Sequence, residues 1–217
     1  MRAYYYTLFY FTASISYMER NLMSKPLFSA FFALVLVGLL SGCARRVIPE
    51  EVMQLSEYAP VYTAYNLWYS SEDGENVIDP LNVQKGNVLP FGTRITFVEA
   101  DTKRIRFKRE SDGMVFTALY DASSNLIPVE NYIKQLFTTR NEADLSVGIR
   151  PLILEKIRRG LVEKGMSRKE VRLGYGVPSP LRTPSELVDT WTYYTDYAVT
   201  KKIVFFGNRV TEIIQLD

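Results

Sequence analysis

A long apolar run that ends at the only cysteine constrains this chain more than any other feature of its sequence. Between Pro26 and Gly42 the chain reads PLFSAFFALVLVGLLSG, without a charged residue, and Cys43 follows directly. Such a run is slightly short for a membrane-spanning helix and has the length of the apolar part of a secretory signal peptide. We therefore expect residues 1–42 to be a signal peptide and the fold to be built from residue 43 onward.

The residues around the cysteine indicate what happens to it. The tetrapeptide Leu40-Ser41-Gly42-Cys43 resembles the lipobox of bacterial lipoproteins. That resemblance implies cleavage between Gly42 and Cys43, attachment of acyl chains to Cys43 and stable anchoring in a membrane. Ala44 follows the cysteine where enteric lipoproteins kept in the inner membrane have Asp, so the resemblance favours the periplasmic face of the outer membrane. The alternative is an uncleaved membrane helix with a chance cysteine at its end.

Residues 1–22 do not fit a single signal peptide. They include an aromatic stretch, YYYTLFYF, and the charged pair Glu19-Arg20 interrupts the chain before the main apolar run. A complete signal of normal length begins at Met23. We interpret residues 1–22 as an over-called start and expect translation to begin at Met23 or Met18.

Composition excludes several classes of function. The formal net charge of +2 belongs to the leader, because residues 1–42 hold three basic residues and one acidic residue. The exported part is therefore formally neutral, whereas a nucleic-acid-binding protein carries a basic excess. With no His and one Cys in the chain, Ser-His-Asp triads, Cys-His pairs and ordinary zinc sites are excluded. We expect no catalytic residue, no metal and no cofactor.

The pattern after the cysteine predicts a tether and then a β-rich domain. Residues 43–60 contain two prolines and little apolar surface, which indicates a lipidated tether. From 61 to 126, short alternating runs are separated by turns such as Ser111-Asp112-Gly113. Ile105 and Phe107 are expected to face a core. About five short strands predict a small β-barrel, and the stretch LPFGTRITFVE resembles bacterial Src-homology-3-like domains.

One strand of this region is strongly basic. Arg104, Arg106 and Lys108 alternate with the two apolar residues of KRIRFKR. These cations are candidates for contact with lipopolysaccharide phosphates or anionic lipid. The competing interpretation is a solvated outer face, since Glu99, Asp101 and Glu110 lie close in the sequence.

The last third of the chain predicts two helices and then three strands. A helical connector occupies residues 127–149, and a helix is expected over 150–164, ended by Gly165. Ser167 and Glu170 have the spacing of a capping box that opens a second helix. Strands are expected over 187–195, 199–206 and 209–215, with Gly207-Asn208 as the last tight turn.

This order, with the string KGMSRKEV at 164–171 and Gly176-Val177-Pro178 after it, resembles the SmpA/OmlA (BamE) lipoprotein family. The resemblance covers residues 150–217. It implies a C-terminal α-α-β-β-β domain. With the small Src-homology-3-like β-barrel expected before it, the predicted fold class is α+β. It also implies a role among outer-membrane assembly or envelope-integrity factors.

Three functions remain open at this point. The first is a lipid-anchored, non-catalytic binding or accessory factor with a protein partner in the envelope. The second is a module that binds peptidoglycan or lipopolysaccharide. The third, an enzyme using acid pairs such as Asp189 with Asp196 or Asp73 with Asp79, is disfavoured because these acids lie beside turns. Exposed aromatic residues anchor interfaces, so Tyr194 and Tyr197 are candidate partner-binding residues, while Trp191 and Tyr193 are expected in the core.

Overall fold

The computed structural model describes residues 44–216 of the chain. Twelve strands and six helices make up this part of the chain. The strands are β1 (Arg46–Val47), β2 (Val61–Thr63), β3 (Leu67–Glu72), β4 (Glu75–Ile78), β5 (Asn87–Leu89), β6 (Arg94–Asp101), β7 (Arg104–Arg109), β8 (Val115–Leu119), β9 (Phe137–Thr138), β10 (Thr190–Tyr194), β11 (Thr200–Phe206) and β12 (Arg209–Leu216). The helices are α1 (Pro49–Val52), α2 (Ala122–Asn125), α3 (Val129–Leu136), α4 (Glu142–Ser146), α5 (Pro151–Arg158) and α6 (Arg168–Tyr175).

The first nine strands form one mixed sheet. Its order is β5-β3-β4-β8-β7-β6-β2-β9, with β1 paired to the end of β6. The β4–β8 pair is parallel and the other pairs are antiparallel. Alternation explains the central strands: Ile105 and Phe107 of β7 are fully buried, as expected from the sequence, whereas Arg104 and Lys108 are exposed and Arg106 is half-buried.

The remaining strands form a separate sheet of order β10-β11-β12, against which α5 and α6 pack. The expected capping box begins α6, where the Ser167 hydroxyl accepts from the Glu170 N–H and the Glu170 carboxylate accepts from the Ser167 N–H. Helix α5 ends at Arg158, earlier than expected, because Gly160 takes a left-handed conformation with φ +68°. The expected turn at Gly207-Asn208 joins β11 to β12.

The predicted fold class is wrong. In place of a five-stranded Src-homology-3-like barrel there is a nine-stranded mixed sheet, which recruits β1 and β9 from outside residues 61–126 and ends at β5 and β9. In place of a compact α-α-β-β-β domain resembling SmpA/OmlA there is a three-stranded sheet with two helices of eight residues each. The core of this second part includes Phe91 from the β5–β6 connection, so it is not built from residues 150–217 alone.

A buried asparagine just before β3 connects the first sheet to the two helices that pack against the second sheet. Asn66 is fully buried, and its Nδ2 donates to the Ile157 carbonyl at 2.5 Å while its Oδ1 accepts from the Phe91 N–H at 2.9 Å. The Asn66 N–H donates to the Leu173 carbonyl at 2.9 Å. The Asn66 side chain thereby joins the β5–β6 connection to α5, and its backbone N–H joins the start of β3 to α6.

Candidate functional site

The expected lipidation and cleavage residues, Cys43 and Gly42, lie outside the described residues. The chain directly after them is fixed to the fold. Arg45 and Thr102 exchange two hydrogen bonds, from the Arg45 N–H to the Thr102 hydroxyl at 3.2 Å and from the Thr102 N–H to the Arg45 carbonyl at 3.0 Å. Val47 is 5% exposed. Residues 45–47 therefore lie on the sheet, although residues 43–60 were expected to be a tether.

The guanidinium of Arg45 also reaches helix α3. Its Nη2 donates to a Glu130 carboxylate oxygen at 2.5 Å. This hydrogen bond holds the pKa of Glu130 below its usual range. The start of the described chain is thus held at two places, at the end of β6 and at the first turn of α3.

The aromatic residues of β10 divide as expected from the alternation. Trp191 and Tyr193 are buried, 2% and 3% exposed. Tyr194 is half-buried, and its carbonyl accepts from the Gln84 N–H at 2.9 Å. Tyr197, in the following turn, is 78% exposed. Of the two candidate partner-binding tyrosines, Tyr197 has the larger free surface.

Three of the four cations of β7 are paired with carboxylates. Arg104 lies 3.5 Å from Glu99 and 3.8 Å from Asp101, and Arg106 lies 3.1 Å from Glu99. Arg109 binds Asp112 through two of its nitrogens. Lys108 has no carboxylate partner within residues 44–216. Pairing leaves little net positive charge on this strand for phosphate groups.

The acid pairs considered for catalysis do not meet. Asp189 and Asp196 flank the two ends of β10, so their backbones are roughly 20 Å apart. Asp73 and Asp79 flank β4 in the same way. Glycosidase carboxylates are about 5–10 Å apart, so neither pair has that geometry. Burial raises the pKa of Asp79, although the Leu81 N–H and the Tyr197 hydroxyl lower it in part.

The most distinctive concave surface lies beside the C-terminal end of α3. We call it the basic groove; its volume is about 280 Å³. Its lining residues are Ala64, Lys134, Gln135, Phe137, Thr138, Arg140, Leu145, Lys169, Arg172 and Leu173. The lining includes four cations and no acidic residue.

Two of the four cations of the basic groove donate to backbone oxygens. Arg140 donates to the Asp144 carbonyl at 2.8 Å, and Lys169 Nζ donates to the Val147 carbonyl at 2.8 Å. Arg172 instead pairs with Glu186. Across the described ranges, Lys134, Arg140 and Lys169 have no carboxylate within ion-pair distance. Backbone carbonyls carry no net charge, so the positive charge of these side chains is retained.

A second hollow of about 80 Å³ shares the lining residue Gln135 with the basic groove. We call it the small cavity; its other lining residues are Tyr65, Pro80, Leu81, Asn82, Asn125, Ile127, Tyr132, Val177, Pro178, Ser179 and Pro180. Ser179 is 3% exposed, and its hydroxyl finds no hydrogen-bond partner among residues 44–216. Burial raises the pKa values of Tyr65 and Tyr132, which therefore stay protonated.

Reasoning from the sequence missed the basic groove. Arg140 falls in the polar segment between the two expected domains, and Lys169 falls in the string that indicated a family resemblance. The two residues come close only in the folded structure, where Arg140 lies just before α4 and Lys169 lies on α6. Residues so far apart in the sequence share no local pattern that would predict this. A signal was nevertheless present, because the 134–140 segment contains two bases and no acid.

One finding concerns membranes: in the part of the chain from Ala44 to Leu216, no helix has the length and apolarity needed to cross a bilayer. Comparisons of the chain with protein-family models, with curated protein sequences and with solved structures find no match. A functional assignment therefore depends on the chemistry of the residues themselves.

Proposed function

We propose that this chain is a lipid-anchored envelope protein that acts as a non-catalytic binding or accessory factor at the periplasmic face of the outer membrane. The observation that carries the proposal is the sequence Leu40-Ser41-Gly42-Cys43 at the end of an uncharged apolar run. Small residues before the cysteine suit a peptidase that must grip extended backbone. Several acyl chains on one residue exceed the two signals that stable membrane anchoring requires.

The start of the fold supports anchoring close to the bilayer. Strand β1 begins at Arg46, and three residues of extended chain span roughly 10 Å. Because Arg45 is also bonded to Thr102 and Glu130, a lipid on Cys43 holds the fold near the membrane surface. The proposal therefore places the end of β6 and the start of α3 on the membrane side.

Two further observations support a binding role. The exported part is formally neutral, which fits a protein that recognises a defined partner better than one that coats a polyanion. The basic groove and the small cavity are concave surfaces that share the lining residue Gln135, and ligand sites are generally concave. The partners proposed are the membrane, through Cys43, and an envelope protein that contributes to outer-membrane assembly or envelope integrity.

Acyl labelling in a bacterial host tests this proposal. The wild-type chain and the Cys43→Ser variant are expressed with an alkyne-bearing palmitate analogue, and membranes are separated on a density gradient. We expect the wild type to be labelled, to begin at Cys43 by mass spectrometry and to sediment with the outer membrane. Cys43→Ser is expected to be unlabelled and absent from that fraction, with its circular dichroism unchanged. A labelled variant, or an unlabelled wild type, would contradict the proposal.

A further inference from the structure

The basic groove contains positive charge that the fold itself does not neutralise. Lys134, Arg140 and Lys169 come from three separate elements or connections and lie around one hollow of about 280 Å³. Arg140 and Lys169 donate to backbone carbonyls. None of the three side chains has a carboxylate partner in the described part of the chain. Like charges gathered without counter-charges repel one another. An arrangement of this kind is stabilised when an anionic group occupies the hollow.

The apolar lining of the groove limits the kind of molecule that can carry the anionic group. Phe137 and Leu173 are 2% and 5% exposed, so the floor offers a small apolar contact. That contact suffices for a short aliphatic side chain and is too small to cover an acyl chain. The neighbouring Gln135 and Thr138 side chains supply hydrogen-bonding groups of the kind that bind peptide backbone.

The spread of the cations favours several carboxylates over one phosphate. Lys134 lies near the end of α3, Arg140 precedes α4, and Lys169 and Arg172 lie on α6. A segment that carries several carboxylates can meet the cations of each element with a separate acid. Strand β9, which lines the groove, is also an end strand of the nine-stranded sheet, and end strands can pair with an extended peptide.

We infer that the basic groove binds an acidic segment of a partner protein, an extended stretch in which carboxylates flank an aliphatic residue. Carboxylates of the segment contact Lys134, Arg140, Lys169 and Arg172, and the aliphatic side chain rests on Phe137 and Leu173. Binding by Arg172 competes with its ion pair to Glu186. This inference rests on the proposed binding function and specifies the chemistry of the partner.

Fluorescence anisotropy with synthetic peptides tests the inference on the full chain in a non-ionic detergent. The probe is a fluorescein-labelled decapeptide of alternating glutamate and leucine, with empty micelles as the blank. A glutamine–leucine decapeptide and a glutamate–glycine decapeptide test the charge and the apolar contact separately. We expect saturable binding of the first peptide and binding weaker by about tenfold or more for the glutamine form, since charge-assisted hydrogen bonds are lost.

A matched pair of variants distinguishes the groove from general attraction. Arg140→Gln with Lys169→Gln removes one arginine and one lysine from the groove, and Arg104→Gln with Lys108→Gln removes the same two residue types from β7. The groove variant is expected to weaken binding by about tenfold, and the β7 variant by less than about twofold. Equal losses in the two variants would overturn the inference, as would the lack of saturation up to about 1 mM peptide.

Vesicles of phosphatidylglycerol and phosphatidylcholine in equal parts test a lipid occupant. Sedimentation that depends on Arg140 and Lys169, with no peptide binding, would overturn the inference and make the groove a headgroup site. Because these measurements use purified chain, their failure leaves the acyl-labelling result for Cys43 unaffected. The inference and the proposed function can therefore fail separately.

Discussion

Two basic surfaces of this molecule differ in what surrounds their charges. Strand β7 carries four cations, and the acids Glu99, Asp101 and Asp112 pair with three of them. The basic groove also carries four cations, and only Arg172 has a carboxylate partner among the residues described. Exposed ion pairs contribute little to stability, but they do neutralise a surface. The number of cations on a surface is therefore a poor guide to whether it binds an anion. What matters is whether each cation already has a carboxylate partner.

The two surfaces also differ in how they are built. Strand β7 is continuous in sequence and lies between β6 and β8. The groove is lined by residues of α3, β9, α4 and α6, which are far apart in the sequence. Its shape therefore depends on contacts between the two parts of the fold, and variants at those contacts should affect the groove and leave β7 intact.

The largest effect is expected for Asn66→Ala. This change leaves the buried Phe91 N–H and the Ile157 carbonyl without their side-chain partner, and unsatisfied buried groups each cost about 1–3 kcal/mol. We expect the free energy of unfolding to fall by about 3–4 kcal/mol in urea denaturation. Asn76→Ala is the control near β7, because Asn76 also donates to a carbonyl, that of Val115, but at an exposed position. A control loss above about 1 kcal/mol would contradict this reasoning.

A smaller effect is expected for Gly176→Ala. Gly176 has φ +81°, and a Cβ there would lie 2.6 Å from the Tyr65 ring, which lines the small cavity. Gly113, in the turn after β7, has φ +75° and no atom within 4 Å of the same Cβ position. Gly113→Ala should cost about 1 kcal/mol from backbone strain alone, and Gly176→Ala about 2–3 kcal/mol because overpacking is added. Equal losses in thermal unfolding would show that the ring moves freely.

The smallest effect is an electrostatic one on the β7 side. Hydrogen bonds from Arg109 lower the pKa of the exposed Asp112 carboxyl to about 2. The stabilising contribution of this pair is complete above the unfolded carboxyl pKa of about 3.9 and is lost as the pH falls through about 2. An NMR titration should find that low midpoint, and Arg109→Gln should return it toward about 3.9. A wild-type midpoint near the ordinary value would mean that the pair does not neutralise this end of β7.

Local patterns in the sequence predicted local structure well, both on β7 and on α6, which lines the basic groove. Alternation placed Ile105 and Phe107 in the core, and the spacing of Ser167 and Glu170 predicted the capping box. Both patterns operate within a few residues, where backbone geometry and side-chain direction are coupled. The same reasoning extended the helix now seen as α5 to residue 164, because the left-handed turn at Gly160 was not foreseen.

Non-local pairing explains why the fold class and the groove were not predicted. The parallel β4–β8 pair and the addition of β1 to β6 join segments that no periodicity relates. Asn66 has no distinguishing feature in the sequence, yet the hydrogen bonds of its buried side chain connect the β5–β6 connection to α5. The candidate site depends on non-local contacts in the same way. The bases of β7, which are evident in the sequence, are mostly paired with acids, whereas Arg140 and Lys169 come to line one groove only after folding.

Site-specific photocrosslinking in living cells tests directly whether the basic groove of the lipid-anchored chain binds an acidic segment of an envelope protein. A benzophenone amino acid replaces Gln135, which lines the groove without contributing charge, or Lys108 on β7 as the matched control. We expect position 135 to yield an adduct whose crosslinked peptide maps by mass spectrometry to an acidic segment, and position 108 to yield none. Adducts from Lys108 alone, or a Gln135 adduct that maps to lipid or to a basic segment, would contradict it.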